Sequence, residues 1–449
     1  MDDRIHMGFN PMGQIQASLP SDVDVSEALA DVCPFSDFAF DEDMIASELF
    51  DHQQINSDDR IGRYIETFAG WVEEGDLRSR ASSGGIGTWL QCELLADGLV
   101  DAVVSVMPRE TSGANTLFKF SVARTSQAVL DRAKTRYYPV EMSAVIRFVL
   151  ETPGKYAFIG TPCFAKALRL AQKTEPLLAE RIKFVLGIVC GHLKSSAFSE
   201  ALAWQCGLAP DGIQDIDFRS KLEGRPASRY GVAVTGKRIE SDETLTVTRP
   251  MEGLLGANWG HGLFKYKACE YCDDVLAETA DAVVGDAWLP SYDSDHRGAN
   301  IVIVRNPEVL DLLKRGRDDG RLHLDEITAD QVAESQAGGL RHRRQGLSYR
   351  LWLDDQAGVW RPKKRVEASR RHLVPSMRRI HKLRLKMGQF SHQAFAEAKS
   401  LGNLSHFHQL MNPIVSQYEK EIRPSWLRRA MNLIERVIDQ GIAKISSKQ

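Results

Sequence analysis

The sequence predicts an α/β fold: a mainly parallel or mixed sheet with flanking helices, followed by a basic, mainly helical C-terminal region. Three observations predict it. Short apolar runs alternate with helical segments along residues 75–310, and glycines mark the turns between them. From about Arg341 the chain becomes rich in arginine and histidine, and its apolar residues recur at helical spacing.

The elements are justified in chain order by periodicity and by turn residues. An acidic helix is expected over residues 41–50, a second at Tyr64–Glu74 and a third from Gly85 to Leu95. An amphipathic helix is expected over the last 25 residues. Short apolar runs predict strands at Val100–Val106, Tyr156–Gly160, Phe184–Val189, Ala282–Gly285 and Ile301–Val304. Helices are predicted after two of these strands, at Phe164–Gln172 and Ser195–Gln205.

The net charge of −3 conceals an uneven distribution. From Arg341 onward there are 23 Lys and Arg against 8 Asp and Glu, so the preceding residues are acidic. A basic tail indicates a protein partner or a membrane surface, or else it folds against its own acidic body. Nucleic acid is not expected as a partner, because no aromatic residues are interleaved with the basic ones in a stacking pattern.

The chain shows neither a secretory signal nor a run of about 20 apolar residues. We therefore expect a cytoplasmic protein, peripheral to a membrane if the tail docks there. In that reducing compartment the seven cysteines favour metal binding, catalysis or burial over disulfides. Cys92 and Cys206, on apolar faces of helices, are expected in the core.

Four other cysteines occur in settings typical of ligands. Cys163 and Cys190 each follow a predicted strand, and Cys269 and Cys272 form a C-x-x-C pair. Four thiolates can bind either zinc or a [4Fe–4S] cluster, and spacing alone favours zinc. The alternative is that Cys163 and Cys190 are small buried hydrophobic residues.

A serine–glycine turn opens the helix that begins near Gly85. Serines at a helix start cap its free amides, and glycines let the backbone approach a ligand closely. Because the helix dipole favours anions there, the turn suits a phosphate or a pyrophosphate, although it would also serve as a plain cap. Its candidate ligand-binding residues are Ser82, Ser83, Gly84, Gly85 and Thr88.

Five further polar residues are candidates for the site. His192 and Lys194 follow Cys190, and His192 suits a proton relay unless its role is structural. Asp286 ends a strand, where it could bind a ligand or cap the next turn. Arg219 and Lys221 could bind phosphates or an anionic substrate, or be ordinary solvated charges.

Taken together, these motifs resemble the beta subunits of coenzyme F420 hydrogenases and dehydrogenases. That family also includes hydroxymethyl-chlorophyll reductases and bacterial homologues found with polysaccharide-biosynthesis proteins. The resemblance covers about residues 75–310 in the family's order, in the segments SSGGIGTWLQCELLADGLVDAVV, YAFIGTPCFAKALR, LGIVCGHLKS, DFRSKLEGRPASRYGV, CEYCDDVLAETADAVVGDAWLP and GANIVIVRN.

The resemblance implies an FAD at the Ser–Gly turn and one [4Fe–4S] cluster. The family's cluster ligands correspond to Cys163, Cys190, Cys269 and Cys272, which shifts the metal prediction from zinc to iron–sulfur. Many relatives begin with a cysteine run that ends in Cys-Pro and holds a second cluster. Here only Cys33-Pro34 remains, so a second cluster is predicted absent and Cys33 is expected to be buried.

The function implied is an oxidoreductase that passes electrons between the cluster and FAD, with ferredoxin or a reduced deazaflavin as electron partner. A homo-oligomer is compatible with this role. The alternative is a non-catalytic accessory protein of cell-surface polysaccharide biosynthesis that retains the fold. The predicted divisions are a degenerate ferredoxin-like region (1–74), a flavin-binding part (75–150), a part with the four cysteines (151–335) and a basic helical tail (336–449).

Overall fold

The computed structural model describes residues 5–19, 27–51, 55–109 and 116–423. The amphipathic helix expected over the last 25 residues lies outside this part of the chain. In chain order the strands are β1 (His6–Phe9), β2 (Ile15–Ser18), β3 (Asn56–Asp58), β4 (Gly62–Tyr64), β5 (Glu66–Val72), β6 (Ala102–Pro108), β7 (Phe118–Ala123), β8 (Tyr156–Gly160), β9 (Ile182–Ile188), β10 (Leu208–Ser220), β11 (Gly231–Arg238), β12 (Thr244–Pro250), β13 (Ala282–Asp286), β14 (Asn300–Val304) and β15 (Leu322–Glu326).

Helices flank the sheets and make up most of the described C-terminal region. None of them, within the described residues, is both long and apolar enough to cross a bilayer. In chain order they are α1 (Glu27–Val32), α2 (Glu42–Leu49), α3 (Leu77–Arg80), α4 (Ile86–Ala96), α5 (Ser126–Leu130), α6 (Ser143–Glu151), α7 (Pro162–Thr174), α8 (Pro176–Arg181), α9 (Ser196–Gln205), α10 (Pro290–Asp293), α11 (Pro307–Asp318), α12 (Ala329–Ser335), α13 (Ala337–Arg343), α14 (Gln345–Ala357), α15 (Pro375–Ser400) and α16 (Leu404–Ile422).

Eight strands form the central sheet, in the order β15-β5-β14-β13-β9-β8-β6-β7. The inner strands β6, β8, β9 and β13 pair in parallel, whereas β14, β5, β15 and β7 pair antiparallel on the two sides. Apolar clusters cover both faces of this sheet. The predicted α/β class with a mixed sheet and flanking helices is therefore confirmed.

The helix predicted at Tyr64–Glu74 is wrong, because the segment forms strand β5. It pairs with β14 on one side and β15 on the other, and its Phe68 and Ala69 are fully buried. A strand buried on both faces reads as a continuous apolar run, which periodicity cannot distinguish from a short helix. Pairing with segments more than 200 residues away decided the outcome.

A second apolar core joins the smaller sheet β10-β11-β12 to α9 and to the C-terminal helices α15 and α16. Its members include Phe198 of α9, Val234 of β11, Phe395 of α15 and Phe407 of α16. The described part of the basic tail thus folds against the body of the protein. Cys206 lies in this core as predicted, whereas Cys92 is only half-buried at the edge of the sheet core.

Candidate functional site

The carboxyl ends of two neighbouring parallel strands carry the first two cysteines. Strands β8 and β9 pair in parallel, so the segments after them emerge at the same edge of the sheet. Cys163 lies in the first turn of α7, and Cys190 follows β9, where its amide donates to Val275 O at 3.1 Å. This is the edge at which ligands bind in open α/β sheets.

The C-x-x-C pair comes to the same place from a distant part of the chain. Cys269 lies in the 3₁₀ turn Lys267–Glu270, and its Sγ accepts the amide of Leu193 at 3.3 Å. Burial raises the pKa values of the Cys163 and Cys190 thiols and raises that of Cys272 to about 12. Repulsion between their thiolate forms adds to this effect, as expected for cysteines that lie near one another.

Four thiols are the donor set both of zinc sites and of iron–sulfur clusters. In the part of the chain that the structure describes, no three His, Cys, Asp or Glu side chains are close enough to hold one metal ion. A tetrahedral zinc site needs its ligands about 2.0–2.3 Å from one centre, whereas an iron–sulfur cluster is held by four thiolates around a larger body.

The guanidinium of Arg343 stands among these thiols. Its side chain is buried, its Nε and Nη1 have no hydrogen-bond partner, and all four cysteines raise its pKa. Cationic groups with unused donors beside four sulfurs are what an anionic thiolate centre requires.

A cavity of about 260 Å³ opens beside Cys190 at the same edge of the sheet. The Ser–Gly turn forms one wall, and the segment from Cys190 to Lys194 forms another. Of the predicted site residues, those that line it are Ser82, Ser83, Gly85, Thr88, Cys190, His192, Lys194, Arg219 and Asp286. Gly84, Lys221, Cys163, Cys269 and Cys272 are not among its lining residues.

The Ser–Gly turn is shaped by close backbone approach. Gly85 has φ +89° at the start of α4, and a Cβ on Gly84 would lie 2.7 Å from Gly70 O. The expected capping by serine is wrong: Ser83 Oγ donates to Ala299 O at 2.9 Å, while Asn300 Oδ1 accepts the Ile86 amide at 3.1 Å. The side chain of Asn300, from strand β14, therefore caps α4 in place of a serine. The serines support the cavity wall instead.

Arg219 and Asp286 form a bidentate ion pair on the cavity wall. The Arg219 Nη atoms lie 2.7 and 2.9 Å from the carboxylate oxygens of Asp286. The guanidinium also stacks over Tyr230 at 4.3 Å and Trp288 at 5.3 Å, and its Nε is buried without a partner. Asp286 therefore orients a cation toward the cavity instead of capping the next turn.

The side chain of Lys221 hydrogen-bonds to the backbone of the Ser–Gly turn. Its Nζ donates to Arg78 O and to Ser83 O, the latter at 3.1 Å. Burial, followed by repulsion from Lys134, lowers its pKa to about 7. Neither Arg219 nor Lys221 is the ordinary solvated charge that their sequence context allowed.

His192 and Lys194 are both buried. The His192 ring packs against Trp259, with ring centroids 4.5 Å apart, and its Nε2 has no partner; burial, and then Lys194, lower its pKa. Lys194 is fully buried; its Nζ donates to Leu263 O at 2.6 Å and lies 4.7 Å from the Phe198 ring centroid. The lysine is thus held by the protein, and the histidine keeps an unused nitrogen.

Sequence reasoning missed several residues of the cavity. The run from Arg132 to Tyr138 lines it, and Tyr137 meets Trp259 edge-to-face at 4.7 Å. A signal existed, because this run carries three basic residues at alternate positions followed by two tyrosines. The prediction for Cys33 was also wrong: it was expected to be buried and is exposed.

The fold and this edge define an α/β protein with four cysteines near a cavity whose wall carries a few polar groups. Residues 67–147 match the N-terminal part of the coenzyme F420 hydrogenase/dehydrogenase beta subunit, and residues 154–330 match its C-terminal part. Together these matches cover more than half of the chain. The chain therefore belongs to this beta subunit family, and the resemblance seen in its motifs is confirmed.

Two individual proteins are similar to this chain. The coenzyme F420 hydrogenase subunit beta of Methanothermobacter thermautotrophicus is 22% identical over 267 residues, which are 58% of this chain and 84% of that protein. A chain in the solved F420-reducing [NiFe] hydrogenase complex of Methanosarcina barkeri aligns at 17% identity with a TM-score of 0.48. That alignment covers 64% of this chain and 92% of the other.

Proposed function

We propose that this protein is an iron–sulfur flavoprotein oxidoreductase in which FAD binds in the cavity and a [4Fe–4S] cluster binds the four thiols. The family is named for hydrogenases and dehydrogenases, which are oxidoreductases. The single observation that carries the proposal is the shared edge of the sheet: Cys190 is one of the four cysteines and also lines the cavity. A cluster there would lie next to any ligand in the cavity.

The residues that would hold each cofactor follow from the geometry. Cys163, Cys190, Cys269 and Cys272 would bind the cluster. Ser83, Gly85 and Thr88 would form the wall against which FAD lies, with Arg219 directed at an anionic group. The free Nε2 of His192 would hydrogen-bond the ligand. When bound, the cluster supplies single-electron transfer and the flavin exchanges either one or two electrons.

The electron partner is proposed from the family. The matched relative is a subunit of coenzyme F420 hydrogenase, so a reduced deazaflavin, or a ferredoxin, is the expected partner of this chain in the cytoplasm. Assembly with other subunits is proposed on the same ground. The domain divisions at residues 75, 151 and 336 remain predictions.

Anaerobic purification tests the proposal. The expected product is brown-yellow and contains about four iron and four sulfide per chain, together with one flavin that acid treatment releases. Zinc without flavin would contradict it. Arg219→Gln should lower the flavin content while iron stays constant, and Arg297→Gln, which alters an exposed ion pair near the same wall, should leave both unchanged.

An accessory role in polysaccharide assembly is the competing function, motivated by the basic tail. The described tail helices are occupied by the protein's own core, which disfavours docking through them. Liposome flotation of the full chain, and of a chain that ends at residue 423, separates the two functions. Flotation that needs residues 424–449, in a protein that holds neither iron nor flavin, would favour the accessory role.

A further inference from the structure

A cation from the C-terminal region reaches the thiol centre. Arg343 is the last residue of α13, and its Nη2 donates to Cys190 O at 3.2 Å and to Gly191 O at 2.7 Å. These two bonds fix the guanidinium directly behind the strand end that carries Cys190. The residue lies beyond residues 154–330, where the family match ends, so it belongs to this chain's own C-terminal region.

No carboxylate is assigned to this cation. Within the described residues, Arg343 forms no ion pair, and its Nε and Nη1 are buried without partners. Glu270, a buried acid on which Arg343 has only a weak electrostatic effect, pairs instead with Lys265 and with Arg350, whose Nε lies 3.0 Å from it. Its hydrogen bonds place the guanidinium against the backbone of Cys190 and Gly191. Burial lowers the pKa of Arg343, and the thiolate forms of all four cysteines raise it well above its ordinary value.

Neutral thiols would leave this arrangement unstable. A buried charge is tolerated when an opposite charge and hydrogen bonds surround it, and it is strongly unfavourable when they are missing. Four thiolates on a cluster carry net negative charge, which increases by one when the cluster accepts an electron from its donor. The guanidinium therefore matches the loaded centre and matches its reduced form best.

We propose that Arg343 is the built-in counter-charge of the four-thiol centre, a positioning residue that raises the reduction potential of the cluster. The inference rests on the proposed function, since it needs a cluster at the thiols. Net charge and hydrogen bonds around the sulfurs are established determinants of cluster potential. Removing the positive charge should favour the oxidised form, so the midpoint potential should decrease.

The experiment compares midpoint potentials of anaerobically purified full-length proteins, titrated with dithionite and followed by the cluster's EPR signal. Arg343→Gln removes the charge and retains amide donors, whereas Arg343→Lys retains the charge. Arg344→Gln is the matched control, because this neighbouring cation pairs with Glu278 at 3.0 Å. We expect a lower potential for R343Q, a value for R343K closer to wild type, and no shift for R344Q.

Iron content separates the two proposals. Wild-type protein without iron would remove the proposed function and this inference with it. With iron present in the wild type, loss of iron in R343Q that R343K restores would support the counter-charge. Equal potentials in wild type and R343Q, equal defects in R343Q and R343K, or a shift in R344Q as large as that in R343Q would overturn the inference and leave the proposed function standing.

Discussion

Two buried charged regions adjoin at Cys272, and they are built differently. On one side the four thiols surround Arg343, and no carboxylate pairs with that cation among the described residues. On the other side, the segment directly after Cys272 enters a group of acids and bases that pair with one another. Asp273 lies 2.8 Å from Lys364, and Glu278 lies 2.8 Å from Arg365.

The second region, here the ion cluster, joins distant segments of the chain. Its carboxylates come from α2 and from the segment after Cys272, and its cations come from α7, from the residue between α13 and α14, and from the segment before α15. The members are Glu42, Asp273, Asp274, Glu278, Lys166, Arg344, Lys364 and Arg365. Acids and bases are equal in number: seven of the eight pair with one another, and Asp274 accepts the backbone amides of Leu276 and Glu278.

The difference shows which region depends on a ligand. The ion cluster needs no ligand, because every member except Asp274 lies within 3.2 Å of an opposite charge, and Asp274 accepts two backbone amides. The thiol centre contains a fixed cation and four sulfurs that burial keeps protonated, so its charges balance only when the sulfurs become thiolates on a metal. Four predictions would break or sharpen this comparison.

The largest effect is expected from removing one thiol. Cys272→Ser should reduce the iron content from about four per chain to nearly none, because a cluster that loses one of its four thiolates is no longer retained. Cys92→Ser is the control, since Cys92 is half-buried in α4 and takes no part in the thiol centre. Iron and sulfide assays measure the effect, and equal iron in the two variants would refute the ligand assignment.

The next effect concerns the ion cluster. Arg365→Met removes the cation shared by Glu42, Asp273 and Glu278, which leaves each of these buried carboxylates with one cation fewer and an excess of negative charge in the ion cluster. The free energy of unfolding should decrease by about 3–5 kcal/mol, as measured by urea denaturation. Arg60→Gln, at an exposed ion pair with Asp58, should change it by less than about 1 kcal/mol. Similar losses in both variants would show that the ion cluster stabilises the fold no more than an exposed ion pair does.

In iron-free protein, removing the cation of the thiol centre should stabilise the fold, whereas removing a cation of the ion cluster destabilises it. There Arg343→Gln should increase the free energy of unfolding by about 1–3 kcal/mol, because it removes a buried charged donor that has no counter-charge. Arg365→Met should still decrease it under the same conditions. Urea denaturation of chelator-treated protein measures both. If R343Q is as destabilising as R365M, the contrast between the two regions is wrong.

The smallest effect is a pH dependence at Lys221, a second cation beside the cavity. Burial lowers its pKa to about 7 from an ordinary value of 10.5, so above pH 7 the unfolded chain binds more protons than the folded one. This residue's contribution to stability therefore rises between about pH 7 and pH 10 and is lowest below pH 7. Unlike Arg343, this cation can lose its proton when no anion is present.

Flavin-free wild type and Lys221→Met test this by urea denaturation at pH 7, 8 and 9. Stability of the wild type should increase more steeply with pH than that of the variant. Parallel curves would mean that Lys221 keeps an ordinary pKa. Added FAD should reduce the slope of the wild type, because an anion near the turn stabilises the protonated amine.

Much of the scaffold could be predicted from local pattern. Strand β8 has the predicted bounds, and β9, β13 and β14 differ from prediction by one or two residues, because short apolar runs bounded by turns identify buried strands. Strand β5 could not be recognised, since its identity depends on partners far along the chain. The helix cap from Asn300 was likewise invisible, because it comes from a strand 214 residues away.

By itself, the sequence determined the alternation of strands and helices, the set of cysteines, the Ser–Gly turn and the basic C-terminal region. These are local properties of composition and spacing. Only the tertiary structure decided that four separate cysteines share one sheet edge with a cavity, and that Arg343, one arginine among many in a basic tail, is directed at them. Burial and opposing charge depend on which distant segments meet, and no local pattern specifies that meeting.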